Sequence, residues 1–132
     1  MAYLQEHITE ILILLFLVIT FLQSGFDKIL DWNGNVSFIK DHFKNSPFKN
    51  SVPLLLGIIL VIELIAGILM VVGIFQLATS GIKNLALLGA ELSALTLIFL
   101  LIGQRLAKDY AGAMSLAVYF IITIFGVFLL NN

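Results

Sequence analysis

Residues 53–75 read PLLLGIILVIELIAGILMVVGIF, an apolar run broken by a single charge, Glu63, near its middle. A helix crossing about 30 Å of hydrocarbon needs roughly 20 mainly apolar residues. Proline suits the first turn of such a helix, where its missing N–H would be unpaired in any case. This stretch therefore reads as a membrane span. Three more runs meet the same test, at about 8–26, 84–103 and 111–130. None has the period-2 alternation of a membrane strand. With short connections making sequential helices antiparallel neighbours, the expected fold is all-α: an integral membrane four-helix antiparallel bundle, one transmembrane domain over residues 1–132. The first span has no basic flank before it, only Glu6, His7 and Glu10, and no small-residue cleavage site after it, so it reads as retained.

Composition agrees. Of 132 residues, 61 % are hydrophobic and 11 % charged, and mean hydropathy is +1.11. A soluble domain is nearer half apolar and a quarter charged. The absence of Cys removes disulfides, thiol redox centres, iron–sulfur clusters and thiolate metal sites. His7 and His42 both lie outside the apolar runs, so no bis-histidine haem is held within the membrane and no metal set is legible. The chain is not expected to be an enzyme alone. A net charge of −1 gives no reason to expect nucleic acid as a partner.

Only the first loop, 27–52, has room for structure. Asn33-Gly34-Asn35 reads as a turn leading to an N-cap at Asn35. Val36, Ile39 and Phe43 then recur at helical spacing, predicting a short amphipathic helix over about 36–44, on the membrane surface or capping the bundle. Lys28, Lys40, Lys44, Lys49, Arg105 and Lys108 lie on the face of loops one and three, against Lys83 alone on the other. That bias predicts loops one and three in the cytoplasm.

The polar residues inside the spans are the functional candidates. An acid at mid-span faces a bundle interior and marks a site by default, or else is a hydrogen-bonded packing residue. Counting about 1.5 Å per residue from the loop-one face, Glu63 lies about 15 Å deep, Tyr119 about 13 Å, Thr96 about 12 Å, Ser93 about 16 Å and Thr20 about 10 Å. Glu63, Tyr119, Ser93 and Thr96 form the candidate ligand or proton layer. The alternative for each Ser and Thr is a bond to its own helix backbone. Glu91, about 20 Å deep, is a second intramembrane acid, close enough in depth to Glu63 for a strained carboxylate pair; with Lys83 and Asn84 nearby, a structural role is preferred. At the loop-one face, Gln23, Asp27, Lys28, Asp31 and Arg105 form a candidate polar network over the mouth, set against simple interfacial anchoring with Trp32 and Tyr110 in the aromatic belt. Small residues one turn apart at Gly89 and Ser93, Ala90 and Ala94, Ala111 and Ser115, and Ala113 and Ala117 suit close packing in the bundle, or a homodimer seam.

A first span ending Ser24-Gly25-Phe26-Asp27-Lys28, a short amphipathic loop helix, and a second span carrying Glu63-x-x-x-Gly67 and then Gly73 resemble the DoxX family. The matching positions are Gly25, Lys28, Glu63 and Gly67; Glu91 stands outside the pattern. The resemblance implies a four-helix protein of the bacterial inner membrane. It also implies association with redox complexes, since the family name comes from a small subunit found with a thiosulfate:quinone oxidoreductase. Loop one often lies outside in that family, opposite to the charge bias here. The leading expectation is an accessory subunit that binds a lipophilic ligand such as quinone, or docks a partner in a larger membrane complex or homo-oligomer. No cofactor is otherwise expected. The alternatives are a small proton-coupled multidrug-type exporter using Glu63, and a purely structural assembly subunit that docks through Trp32, Phe38 or Phe43.

Overall fold

The computed structural model describes every residue except Met1, Ala2 and Phe48. It has five helices: α1 (Ile8–Leu30), α2 (Trp32–His42), α3 (Val52–Ser80), α4 (Asn84–Leu106) and α5 (Tyr110–Leu130), with no strand among the described residues. Of these, α1, α3, α4 and α5 are long and apolar enough to cross a membrane. The chain is an integral membrane helical bundle, as composition and hydropathy require.

Contacts fix the topology. Tyr3 N donates to Ala78 O at 3.1 Å, and Gly25 lies against Leu64, so α1 and α3 run antiparallel. Gly73 lies against Ala86 and Gly89 against Met70, which sets α3 antiparallel to α4. α5 packs on α4 and closes the ring on α1 by a looser seam, where Gly126 meets Ile13. Loops one and three thus share one end of the bundle. The other holds the turn 81–83 and the last residue, whose backbone oxygen accepts from Lys83 Nζ at 2.7 Å. Gly81 makes that turn with φ 69°, the left-handed conformation that glycine adopts without strain.

Leu14, Leu17, Met70 and Leu77 fill the core, while Leu12, Ile68, Met114 and Ile121 face outwards. In lipid an outward leucine costs nothing, so the bundle is held by close packing and polar contacts rather than by burial of apolar surface. At Gly73 that packing brings backbone against backbone: a Cβ there would sit 2.5 Å from Ala86 Cα and 2.6 Å from Ala86 N.

Two expectations change. The helices outrun the apolar runs that predict them; α1 continues to Leu30 and α3 to Ser80, because interfacial residues such as Lys28 and Thr79 remain helical while their polar ends find partners. The turn expected at Asn33–Asn35 is instead the first turn of α2. Its cap is Asp31, whose Oδ1 accepts from Gly34 N at 3.3 Å, and Asn35 Nδ2 donates back to Asp31 O at 2.8 Å. An aspartate one residue past the end of α1 caps the next helix before an asparagine further on can do so.

Because the obstacle at position 73 is backbone, Gly73→Leu must push α3 and α4 apart. The expected loss is about 1–3 kcal/mol of stability, read as a lower thermal unfolding midpoint in detergent; an unchanged midpoint would contradict this packing.

Candidate functional site

The site begins with a mismatch of helix lengths. With 23 residues in α1 and 29 in α3, α3 is longer by about 9 Å. Gly25 lies against both Leu64 and Leu60, so the last turns of α1 are level with Glu63. A Cβ on Gly25 would come within 2.8 Å of Leu64 Cδ2, so the missing side chain is what admits α3 at this height.

Lys28, in the last turn of α1, turns inward. Its Nζ lies 2.8 Å from Glu63 Oε1 and donates to Ser24 Oγ at 2.6 Å. The Glu63 side chain is 3 % exposed and that of Lys28 14 %. Glu63 Oε1 has no aligned hydrogen bond, so the ammonium holds it by charge at short range. Such a pair is weak evidence of net stabilisation but costly to break, since removing one partner strands a buried charge.

Beside this pair is a pocket of about 530 Å³, in the range of ligand cavities. Phe38, Ile39 and Phe43 roof it from α2 and the residue after it; the α3 face from Val52 to Ile62 and the α4 face from Phe99 to Gln104 form its walls. The lining is almost wholly apolar. Its polar members are Lys28 and a trio that ties the roof down: His42 Nε2 lies 3.0 Å from Gln104 Oε1 and 3.3 Å from Asp109 Oδ2. Both partners are acceptors, which assigns a proton to Nε2. The other oxygen of Asp109 accepts from Gly112 N at 2.9 Å, so one carboxylate caps α5 and anchors α2.

The expected ligand layer is not assembled around Glu63. Ser93 Oγ donates to Gly89 O at 2.9 Å, Thr96 Oγ1 to Leu92 O at 2.7 Å and Thr20 Oγ1 to Phe16 O at 2.9 Å, each within its own helix. Tyr119 stands beside Phe16, ring centroids 6.3 Å apart, about 12 Å along α1 from Ser24. Depth counted from the start of α3 overstated how far Glu63 lies inside the bundle, because α3 begins above the end of α1.

The mouth network also divides. Lys28 leaves it for Glu63, Asp31 caps α2, and the backbone oxygen of Asp27 accepts from Asn35 Nδ2 at 3.2 Å. Arg105 lies over the Tyr110 ring at 4.9 Å and makes no ion pair with either aspartate, and Gln23 is exposed. Glu91 faces out from α4 and does not approach Glu63. Of the docking candidates, Phe38 is the most exposed, at 69 %, although it too lines the pocket and stacks on His42; Phe43 lines the pocket and Trp32 is half-buried near Gly57.

Sequence reasoning missed His42, Gln104 and Asp109 as site residues. His42 continues the Val36–Ile39 face at the next i+3 position, and Asp109 precedes the fourth span at N-cap spacing from Gly112. These signals place each residue locally, but not against one another.

A buried ion pair beside a half-open apolar pocket, between α3 and α4 and under a short roof helix, defines a small four-span membrane protein with a pocket at one end of its bundle. The DoxX family profile matches residues 11–104, and the chain belongs to that family. The match takes in Lys28, Glu63 and nearly the whole pocket. Nothing matches among curated proteins or among solved structures.

Lys28→Met leaves Glu63 buried without its cation and should cost about 3–5 kcal/mol, seen as a sharply lower thermal midpoint in detergent. Adding Glu63→Leu should restore most of that loss. A double variant no more stable than Lys28→Met would mean that the two residues are not a pair.

Proposed function

We propose that this DoxX-family protein is an accessory membrane subunit that holds a lipid-soluble carbonyl ligand of the quinone type in the pocket under α2, at the disposal of a redox partner. The observation that carries this reading is the pocket itself. A wall of aliphatic and aromatic side chains suits a ring and the first units of an apolar tail, and a few polar groups at its edge orient the ring. Lys28 has three N–H donors, one committed to Ser24; a ligand carbonyl is a fitting acceptor for another. Glu63 offsets the lysine charge, so the pocket favours a neutral ligand over an anion. The same pairing counts against an exporter, which needs a carboxylate free to trade protons for a cationic substrate. Orientation follows the basic bias, with α2 and the pocket at the cytoplasmic side of a bacterial inner membrane.

The chain has a single tryptophan, Trp32, at the start of α2, which makes its fluorescence a reporter for this region. A short-chain quinone should quench it saturably in the wild type. Gly103 lines the pocket, and a Cβ there would meet Phe43 Cζ at an acceptable 3.4 Å, so Gly103→Leu fills the chamber without displacing backbone. That variant should keep its thermal midpoint and lose the saturable phase. Quenching that is linear in quinone, or equal in both proteins, would exclude this site.

A further inference from the structure

Glu91 faces the outside of the bundle two helical turns beyond Asn84, with only Leu, Ala and Gly in between. It has no hydrogen bond or ion pair among the described residues. Away from their terminal turns, every other residue exposed on the four spans is uncharged. A lone carboxyl in lipid costs a few kcal/mol unless another polar group meets it.

Its neighbours on that face are regularly spaced. Leu88, Glu91, Leu95 and Ile98 are all exposed and follow one another at intervals of three, four and three residues, continuing to Ile102 at the pocket's edge. Two parallel helices can pack in a left-handed pair along such spacing, which the exposed Ile58, Val61, Ile65 and Ile68 of α3 also follow; what singles out α4 is Glu91, since a single polar residue in such a seam fixes its register. We propose that α4 is the interface of a homodimer, with a second copy of this chain lying along this seam and the two Glu91 carboxyls meeting across a two-fold axis normal to the membrane.

Copies of a membrane chain insert with one orientation, so two α4 helices related by such an axis run parallel and present Glu91 at the same depth. A second copy therefore brings a polar partner to this position by symmetry alone. Two carboxyls at matched depth can hydrogen-bond to each other across the axis, each supplying the polar partner that lipid does not. The outer faces of α3 and α5 offer no such group inside the span.

Because the chain lacks cysteine, single introduced thiols report contacts cleanly. In native membranes under mild oxidation, Leu95→Cys should give a band at twice the 14.6 kDa chain mass, severalfold above Ile121→Cys on the outer face of α5. Adding Glu91→Leu should weaken association about tenfold, whereas Glu91→Gln, whose amides can bond to each other, should keep most of it. Equal crosslinking at positions 95 and 121, an adduct with a different protein, or a crosslink indifferent to Glu91→Leu would each overturn the proposal. None of these outcomes bears on ligand binding in the pocket.

Discussion

An acid in the middle of an apolar span must find a partner, and in this chain the partner comes from the end of a neighbouring helix. Lys28 can bring a charge to Glu63 only because α1 stops at that level and Gly25 lets α3 come close. The rest of the loop-one end follows from this requirement. α3 rises past the end of α1, and the chain leaving α1 turns at Asp31 into α2 rather than continuing across the membrane. The step between a short helix and a long one is thereby roofed. The space beneath the roof is the pocket, and the ion pair that sets the step also supplies a polar group on its wall.

The roof needs its own fastening. α2 has eleven residues, none of them buried, too few to hold position unaided. His42 at its end bonds across sixty-two residues of sequence to Gln104 and reaches Asp109, at the hinge between α4 and α5. The pocket is thus bounded by charge at Lys28–Glu63 and by shared acceptors at His42, with apolar surface between. That distribution gives a ring-bearing ligand an orientation as well as a volume.

Much of this was legible from residues alone, and the limits are instructive. Four spans follow from the length and apolarity of four runs, a property of each segment by itself. The loop helix follows from Val36, Ile39 and Phe43, although its start does not, because Asp31 caps before Asn35. Glu63 stands out because a charge in lipid demands explanation. Its partner does not stand out, because depth counted along one helix assumes that all helices begin level. Here α3 starts well above the end of α1, so Lys28, assigned to the mouth, meets Glu63, while Tyr119 and Ser93 do not. The His42 contacts were beyond reach for a related reason: local spacing puts a side chain on a face, and only the packing of α2 against the α4–α5 hinge decides what that face meets.

The loop-one end of the bundle depends on the buried ion pair of Lys28 and Glu63 at the edge of the pocket. Solid-state NMR on the protein in lipid vesicles, recoupling lysine 15Nζ to glutamate side-chain 13C, tests it directly. One strong lysine–glutamate contact is expected, matching the 2.8 Å N–O separation and abolished in Glu63→Gln. A spectrum without that contact, or one unchanged by the substitution, would contradict it.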